Sequence, residues 1–124
     1  MSDHDELSAA YWEGAARGVL VVQRCTSCGT PRHYPRAMCA NCYSFETEHV
    51  EHSGAGTVYS WTVAHQAFAP DVGELPYTLV TVDLGEGMRA LGRLHGAQPA
   101  LGLPVQIGFE PDPAGAPRPV FTAI

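Results

Sequence analysis

The sequence predicts a mainly β protein built from a short N-terminal helix, a cysteine-centred metal module and a small five-stranded barrel, laid out over residues 1–18, 19–52 and 53–124. Three observations predict it. Thirteen Gly and ten Pro break the chain into short pieces and argue against an all-helical bundle. Two Cys-x2-Cys pairs mark a compact module in the first half, and residues 53–124 carry five strand-like segments, the first of them alternating. A length of 124 residues excludes two independent catalytic domains, and 45% hydrophobic with 16% charged residues is enough apolar material for a core.

The helix is expected over Asp5 to Arg17, with acids in its first turn and Gly18 as its stop. Leu7, Ala10, Tyr11, Gly14 and Ala15 fall on one face at spacings of three and four. So short a helix is marginal alone, so this face must dock on something. Val19 to Arg24 is β-branched and short, a strand leading into the first cysteine pair, and Phe45 to Val50 is a strand leaving the second.

Cys25-Thr-Ser-Cys28 and Cys39-Ala-Asn-Cys42 are separated by ten residues. Each Cys-x2-Cys turn places two thiolates on one side of a metal, and two such turns complete a tetrahedron. All four positions are then filled by protein, which makes the site structural, with no place for an activated water. Zinc is the expected ion, one per chain, in a rubredoxin-like zinc ribbon. A rubredoxin-like iron site, a redox pair and plain buried thiols are the alternatives. Gly29 suits the positive φ that often follows the second cysteine of a knuckle, whereas Tyr43 at the equivalent place departs from it.

Beyond Ser53-Gly-Ala-Gly56 the strands lengthen. Thr57 to His65 alternates, with Tyr59, Trp61, Val63 and His65 expected on one face and Val58, Ser60, Thr62 and Ala64 on the other. Tyr77 to Leu84 and Met88 to His95 flank Gly85-Glu-Gly87, a short hairpin loop. Val105 to Glu110 and Pro119 to Ala123 complete five strands, with a rigid loop over Pro111 to Pro119. A long, glycine-bracketed first strand followed by four more matches a small OB-type barrel, with an SH3-like barrel as the competing architecture.

All seven cations are arginines. Residues 14–45 carry Arg17, Arg24, Arg32 and Arg36 with no acid, while residues 46–86 carry seven acids and no base, and the whole chain has a net charge of −6. An acidic protein without lysine is a poor sliding nucleic-acid binder. The start, MSDHDEL, is acidic where a secretory leader is positive, and the longest aliphatic run, Val19 to Val22, is too short to span a bilayer. No membrane association and a cytoplasmic location are therefore expected.

Gly18-Val-Leu-Val-Val-Gln-Arg-Cys25, Cys28-Gly29, Tyr34-Pro35, Cys39, Cys42 and Gly54-Ala-Gly56-Thr-Val-Tyr-Ser-Trp-Thr62 resemble the zinc-ribbon plus OB-fold family known as domain of unknown function 35. Pro76-Tyr77, Glu86-Gly87 and Gly102-Leu-Pro-Val105 fit its barrel half, so the resemblance covers essentially the whole chain. It implies an accessory subunit of thiolase-like enzymes that act on acyl-CoA thioesters, including condensing enzymes and side-chain-cleaving aldolases of steroid catabolism, sometimes beside MaoC-like hydratases. In such systems the thiolase-like partner carries the catalytic residues. The metal role is carried over to Cys25, Cys28, Cys39 and Cys42.

No self-contained active site is visible. Gly54-Ala-Gly56 precedes a strand instead of opening a helix, which removes it as a dinucleotide fingerprint. His4, His33, His49, His52, His65 and His95 contain no H-x3-H pair, and the sequence has no G-x-S-x-G elbow. Tyr59, Trp61 and His65 offer a stacking platform of the kind OB folds use for single-stranded nucleic acid, but the acidic surroundings suit a protein partner better. Arg24, Arg32 and Arg36 are the candidate clamp for the phosphates of CoA, against the plainer reading of three solvated arginines. The expectation is a non-catalytic subunit supporting a thiolase-like acyl-CoA enzyme. Its rivals are a single-strand nucleic-acid-binding module and an iron-binding electron carrier.

Overall fold

The computed structural model describes residues 8–65 and 76–124. Helix α1 (Ala9–Ala16) leads into β1 (Leu20–Cys25), β2 (Pro31–Arg32) and β3 (Thr47–His52), which form a small antiparallel sheet in the order β2-β1-β3. Strands β4 (Ala55–Ala64), β5 (Tyr77–Gly85), β6 (Met88–His95), β7 (Pro104–Pro111) and β8 (Pro117–Ala123) close a barrel in the order β4-β5-β6-β8-β7. Every neighbouring pair is antiparallel except β6 and β8, which run parallel. Five strands closed by one parallel pair are the OB arrangement, and the SH3-like alternative is set aside.

The expected start of the helix, Asp5 to Leu7, lies outside the described residues. From Ala9 onward the predicted face is the buried one, with Tyr11, Gly14 and Ala15 turned inward. Gly14 is required there. A Cβ on it would sit 2.5 Å from Val21 Cγ2 and 2.8 Å from the Val19 carbonyl oxygen, so only glycine lets α1 lie against β1.

Two elements differ from the expectation. Strand β2 is two residues long and carries no periodic signal; it exists because Arg32 and Pro31 pair with Gln23 and Arg24 on β1. In β4 the register to β5 shifts between Val58 and Ser60. Val58 and Trp61 therefore align with Val82 and Val80, two fully buried residues, whereas Tyr59 is left at the irregularity beneath Arg89. The single face expected for Tyr59, Trp61 and Val63 is thus broken by a bulge, which re-aims one side chain without ending the strand.

One apolar cluster runs through both parts of the molecule. Tyr11 from α1 and Leu20 and Val22 from β1 join Val58, Val80, Val82, Met88, Val105, Ile107 and Phe121 of the barrel. Polar ties reinforce the junction. The Leu91 amide donates to the Tyr34 hydroxyl at 3.0 Å. His52 Nδ1 accepts from the Gly54 amide at 2.8 Å, so Nε2 carries the proton and donates to the Leu84 carbonyl at 3.1 Å.

Candidate metal centre

The two cysteine turns are built alike. In the first, the Gly29 amide donates to the Cys25 carbonyl at 2.8 Å and the Cys25 amide donates to the Thr30 carbonyl at 3.0 Å. In the second, the Tyr43 amide donates to the Cys39 carbonyl and the Cys39 amide to the Ser44 carbonyl, both at 2.9 Å. Gly29 has φ +80° and Tyr43 has φ +64°, so the tyrosine adopts the left-handed conformation that glycine takes freely. A non-glycine residue held there costs of order 1 kcal/mol or more, and it persists where the surroundings over-determine it.

The four sulfurs all lie within 4.8 Å of one another. Cys25 Sγ is 3.6 Å from Cys42 Sγ, and Cys28 Sγ is 3.7 Å from Cys39 Sγ. A tetrahedron with metal–sulfur bonds of about 2.3 Å has edges of about 3.8 Å, so the donor set fits a four-thiolate metal site. These separations are far beyond a disulfide bond, and all four cysteines are free. The first cysteine of each pair is buried and the second exposed.

Polar neighbours favour the thiolate at Cys28. The Thr30 hydroxyl lies 3.1 Å from Cys28 Sγ, and Asn41 Nδ2 donates to the same sulfur at 3.6 Å. Hydrogen bonds from Thr30 and Asn41 draw the Cys28 thiol down to about 5. The Asn41 amide points at Cys39 Sγ at 3.4 Å, and the Ser27 and Ser44 hydroxyls meet at 2.9 Å across the two turns.

The three arginines expected to form one clamp have three different environments. Arg24 Nη1 donates to the Gly29 carbonyl at 2.9 Å and caps the first turn. Arg32 is only 4% exposed: Nε donates to Gln23 Oε1 at 2.7 Å, and Nη2 donates to the Arg36 carbonyl at 2.9 Å and to Thr47 Oγ1 at 2.8 Å. Arg32 is thus not one of three solvated arginines but a buried strut; it also lines the cleft into which Arg36 projects, and its Nη1 has no hydrogen-bond partner among the described residues. The Arg36 side chain is exposed and lines a cleft of about 310 Å³ with Thr30, Asn41 and Glu86.

Gln23, which charge and motif reading passed over, is the hub of this strut. It is 1% exposed, and its Oε1 also accepts from the Arg36 amide at 2.8 Å. The available signal was a lone amide in the apolar run Leu20-Val-Val-Gln23. On the barrel, Arg89 stacks 3.8 Å over the Tyr59 ring and Arg93 stacks 4.0 Å over Tyr77. Trp61, aligned with Val80, is 41% exposed. No helix among the described residues is long and apolar enough to cross a membrane.

The ChsH2 rubredoxin-like zinc ribbon domain model matches residues 12–48, and the ChsH2 C-terminal OB-fold domain model matches residues 49–110. A probable enoyl-CoA hydratase alpha subunit of Thermomonospora curvata is 42% identical over 84% of this chain and 34% of its own length. The 3-oxo-4,17-pregnadiene-20-carboxyl-CoA hydratase alpha subunit of Mycobacterium tuberculosis is 36% identical over 82% of this chain and 33% of its own length. The chain thus spans about a third of the length of these two curated relatives. The benzoylsuccinyl-CoA thiolase subunit BbsA of Geobacter metallireducens is 37% identical over 59% of this chain and 48% of its own. Among solved structures, a chain of an Ltp2-ChsH2(DUF35) aldolase superposes with a TM-score of 0.85 at 38% identity, covering 99% of this chain and 98% of that one. The related proteins are subunits of acyl-CoA hydratase, thiolase and aldolase assemblies. With its ribbon and its barrel both matched, the chain belongs to the ChsH2 family of DUF35 proteins.

Proposed function

We propose that this chain is a non-catalytic accessory subunit that binds and supports a thiolase-like acyl-CoA enzyme catalysing condensation, thiolysis or retro-aldol cleavage, with steroid side-chain catabolism as the setting. The observation that carries the reading is the end-to-end likeness to the DUF35 chain of an aldolase. The closed donor set agrees with it. Cys25, Cys28, Cys39 and Cys42 would hold one zinc ion whose chemistry is to cross-link the two turns, leaving no open coordination position for substrate. A MaoC-like hydratase is a second candidate partner, in keeping with the hydratase subunits among the relatives.

The experiment is co-purification of the tagged chain from its native host, with identification of what accompanies it, followed by assay of the separated and recombined parts. The expected outcome is an acyl-CoA enzyme of the thiolase or aldolase type, active only when both chains are present. Turnover by this chain alone overturns the accessory reading. Metal analysis should return one zinc per chain in a colourless protein; iron and colour would favour the electron-carrier alternative. For contact with the nucleotide end of CoA we propose Arg36 as the exposed guanidinium, with Arg32 behind it in the same cleft and Arg24 beside the metal module. Arg36→Ala should raise the KM of the complex for acyl-CoA and leave a pantetheine thioester unaffected.

A further inference from the structure

Arg32 carries a charge that its hydrogen bonds do not explain. The side chain is buried, and its bonded partners, Gln23 Oε1, the Arg36 carbonyl and Thr47 Oγ1, are all neutral. No carboxylate pairs with it among the described residues; Glu86 lines the same cleft but forms no ion pair with it. A strut that needed only hydrogen bonds could be made from neutral side chains, because a buried cation without a counter-charge is strongly destabilising. A counter-charge is therefore required close by.

The sulfur cluster is placed to supply it. Leu20 and Val22 of β1 point into the shared core, so Gln23 and Cys25 lie together on the other face of that strand. Thr47 stands in register opposite Cys25, which puts their Cβ atoms about 5 Å apart. Arg32 is bonded to Gln23 at 2.7 Å and to Thr47 at 2.8 Å, so its guanidinium spans the strand pair on the Cys25 side. It also shares the lining of one cleft with Cys39. Cys25 and Cys39 are the two buried cysteines, whereas Cys28 and Cys42 are exposed. The buried guanidinium thus stands beside the pair of sulfurs that solvent cannot stabilise. Four thiolates around one divalent ion leave a net negative charge of about two, and residues 14–45 hold four arginines and no acid.

We propose that Arg32 is the counter-ion of the metal centre, its guanidinium offsetting the charge on Cys25 and Cys39 so that metal binding and the polar strut stabilise each other. The inference concerns the ribbon and does not rest on the accessory-subunit reading. A fixed charge in dry surroundings acts with little screening, and groups just outside a metal's ligands commonly change its affinity 10- to 100-fold. Arg36 lines the same cleft, but its side chain is exposed, so water and salt screen it. It is the natural control.

The test separates charge from hydrogen bonding. Arg32→Lys keeps the cation and gives up the planar fork, whereas Arg32→Gln and Arg32→Met remove the cation. Zinc dissociation constants are read by chelator competition on the full chain. The two neutral variants should bind zinc at least about tenfold more weakly, with Arg32→Lys and Arg36→Gln within about threefold of the parent. The chain reloaded with iron gives a second readout that lost packing does not mimic. A four-thiolate iron site gains negative charge on reduction, so a nearby cation raises its potential. Arg32→Gln should therefore lower that potential by about 59 mV or more, the one-electron equivalent of a tenfold change, while Arg32→Lys stays near the parent. Equal losses of zinc affinity in Arg32→Lys and Arg32→Gln, or an iron potential unchanged by Arg32→Gln, overturn the inference and leave Arg32 a hydrogen-bonding strut alone. If the neutral variants take up no metal, Arg32→Lys decides. Metal uptake by Arg32→Lys sustains the role of the charge, and its failure alongside the others overturns it.

Discussion

The ribbon and the barrel solve the same stability problem with different materials. The barrel encloses Val80, Val82, Val105 and Phe121 without exposure, while the ribbon leaves Tyr43 and Phe45 largely in solvent and buries polar Gln23 and Arg32 instead. The region between the cysteine turns has little apolar surface to bury, so its order depends on the sulfur cluster and one polar strut. The comparison teaches that the two halves should fail separately under different insults.

Removal of the metal is the strongest way to separate the halves. Structural zinc in four-cysteine modules supplies on the order of 10 kcal/mol or more at neutral pH. Chelation, or Cys25→Ser and Cys42→Ser, should abolish exchange protection across residues 25–47 while β5, β6, β7 and β8 keep theirs. Loss of protection in both halves together would show that the shared cluster of Leu20 and Val22 with Phe121 couples them into one cooperative unit.

The next largest effect separates two arginines that look alike in sequence. Arg32→Ala removes one of the two donors to Gln23 Oε1 and the donor to Thr47 Oγ1, empties a buried site, and should cost about 3 to 5 kcal/mol. Arg36→Ala, at an exposed side chain, should cost less than about 0.5 kcal/mol. Urea melts of the two variants check this directly. Equal losses would mean that Arg32 is not the strut its hydrogen bonds describe.

These contrasts also mark how far the sequence could be read. Cysteine spacing fixes the local turn geometry, so the metal module and its closed donor set were legible, even through the departure at Tyr43. All five barrel strands were legible as strand-like runs bounded by glycine and proline turns; burial alternates with a period of two along β6 and most of β5, but not along β4 or β8. Three features were hidden because they arise from pairing between distant segments. Strand β2 exists only against β1, the bulge at Val58–Ser60 depends on the register of β5, and the Tyr59–Arg89 stack joins residues brought together by two strand pairings. The burial of Arg32 was not legible because a formal charge marks a residue as surface until its neighbours are known, and its main neighbour, Gln23, lies nine residues earlier.

A smaller effect appears on acidification. Burial, and secondarily the nearness of His52, draws His33 down to about 4, and its Nδ1 is buried without a hydrogen-bond partner among the described residues. The folded state therefore prefers the neutral ring, whereas the unfolded chain takes up a proton near pH 6.5. Stability that is present above pH 6.5 should be lost as pH falls toward 4, by about 2 to 3 kcal/mol from this group. His33→Gln should flatten that part of the profile. Acid release of the metal acts on both proteins, so the difference between their stability curves isolates the histidine; parallel curves would remove His33 as the cause.

A small stability change is expected at Trp61, and there the difference between packing and docking is sharpest. A tryptophan enclosed in the barrel costs about 3 to 5 kcal/mol on truncation to alanine. Trp61 is aligned with the buried Val80, yet it is 41% exposed and sits on the stretch of β4 whose outer edge is open among the described residues. Trp61→Ala should therefore lower stability by only about 1 kcal/mol, since much of the ring is already in water. If the barrel face meets the partner, the same change should weaken the complex by about 2 kcal/mol or more, because large aromatics at the centre of an interface dominate its affinity. Thermal melts and titration calorimetry on the same protein distinguish the cases. A large fall in Tm with unchanged affinity would assign Trp61 to the core and move the docking face elsewhere, while no change in either would leave it an idle surface residue.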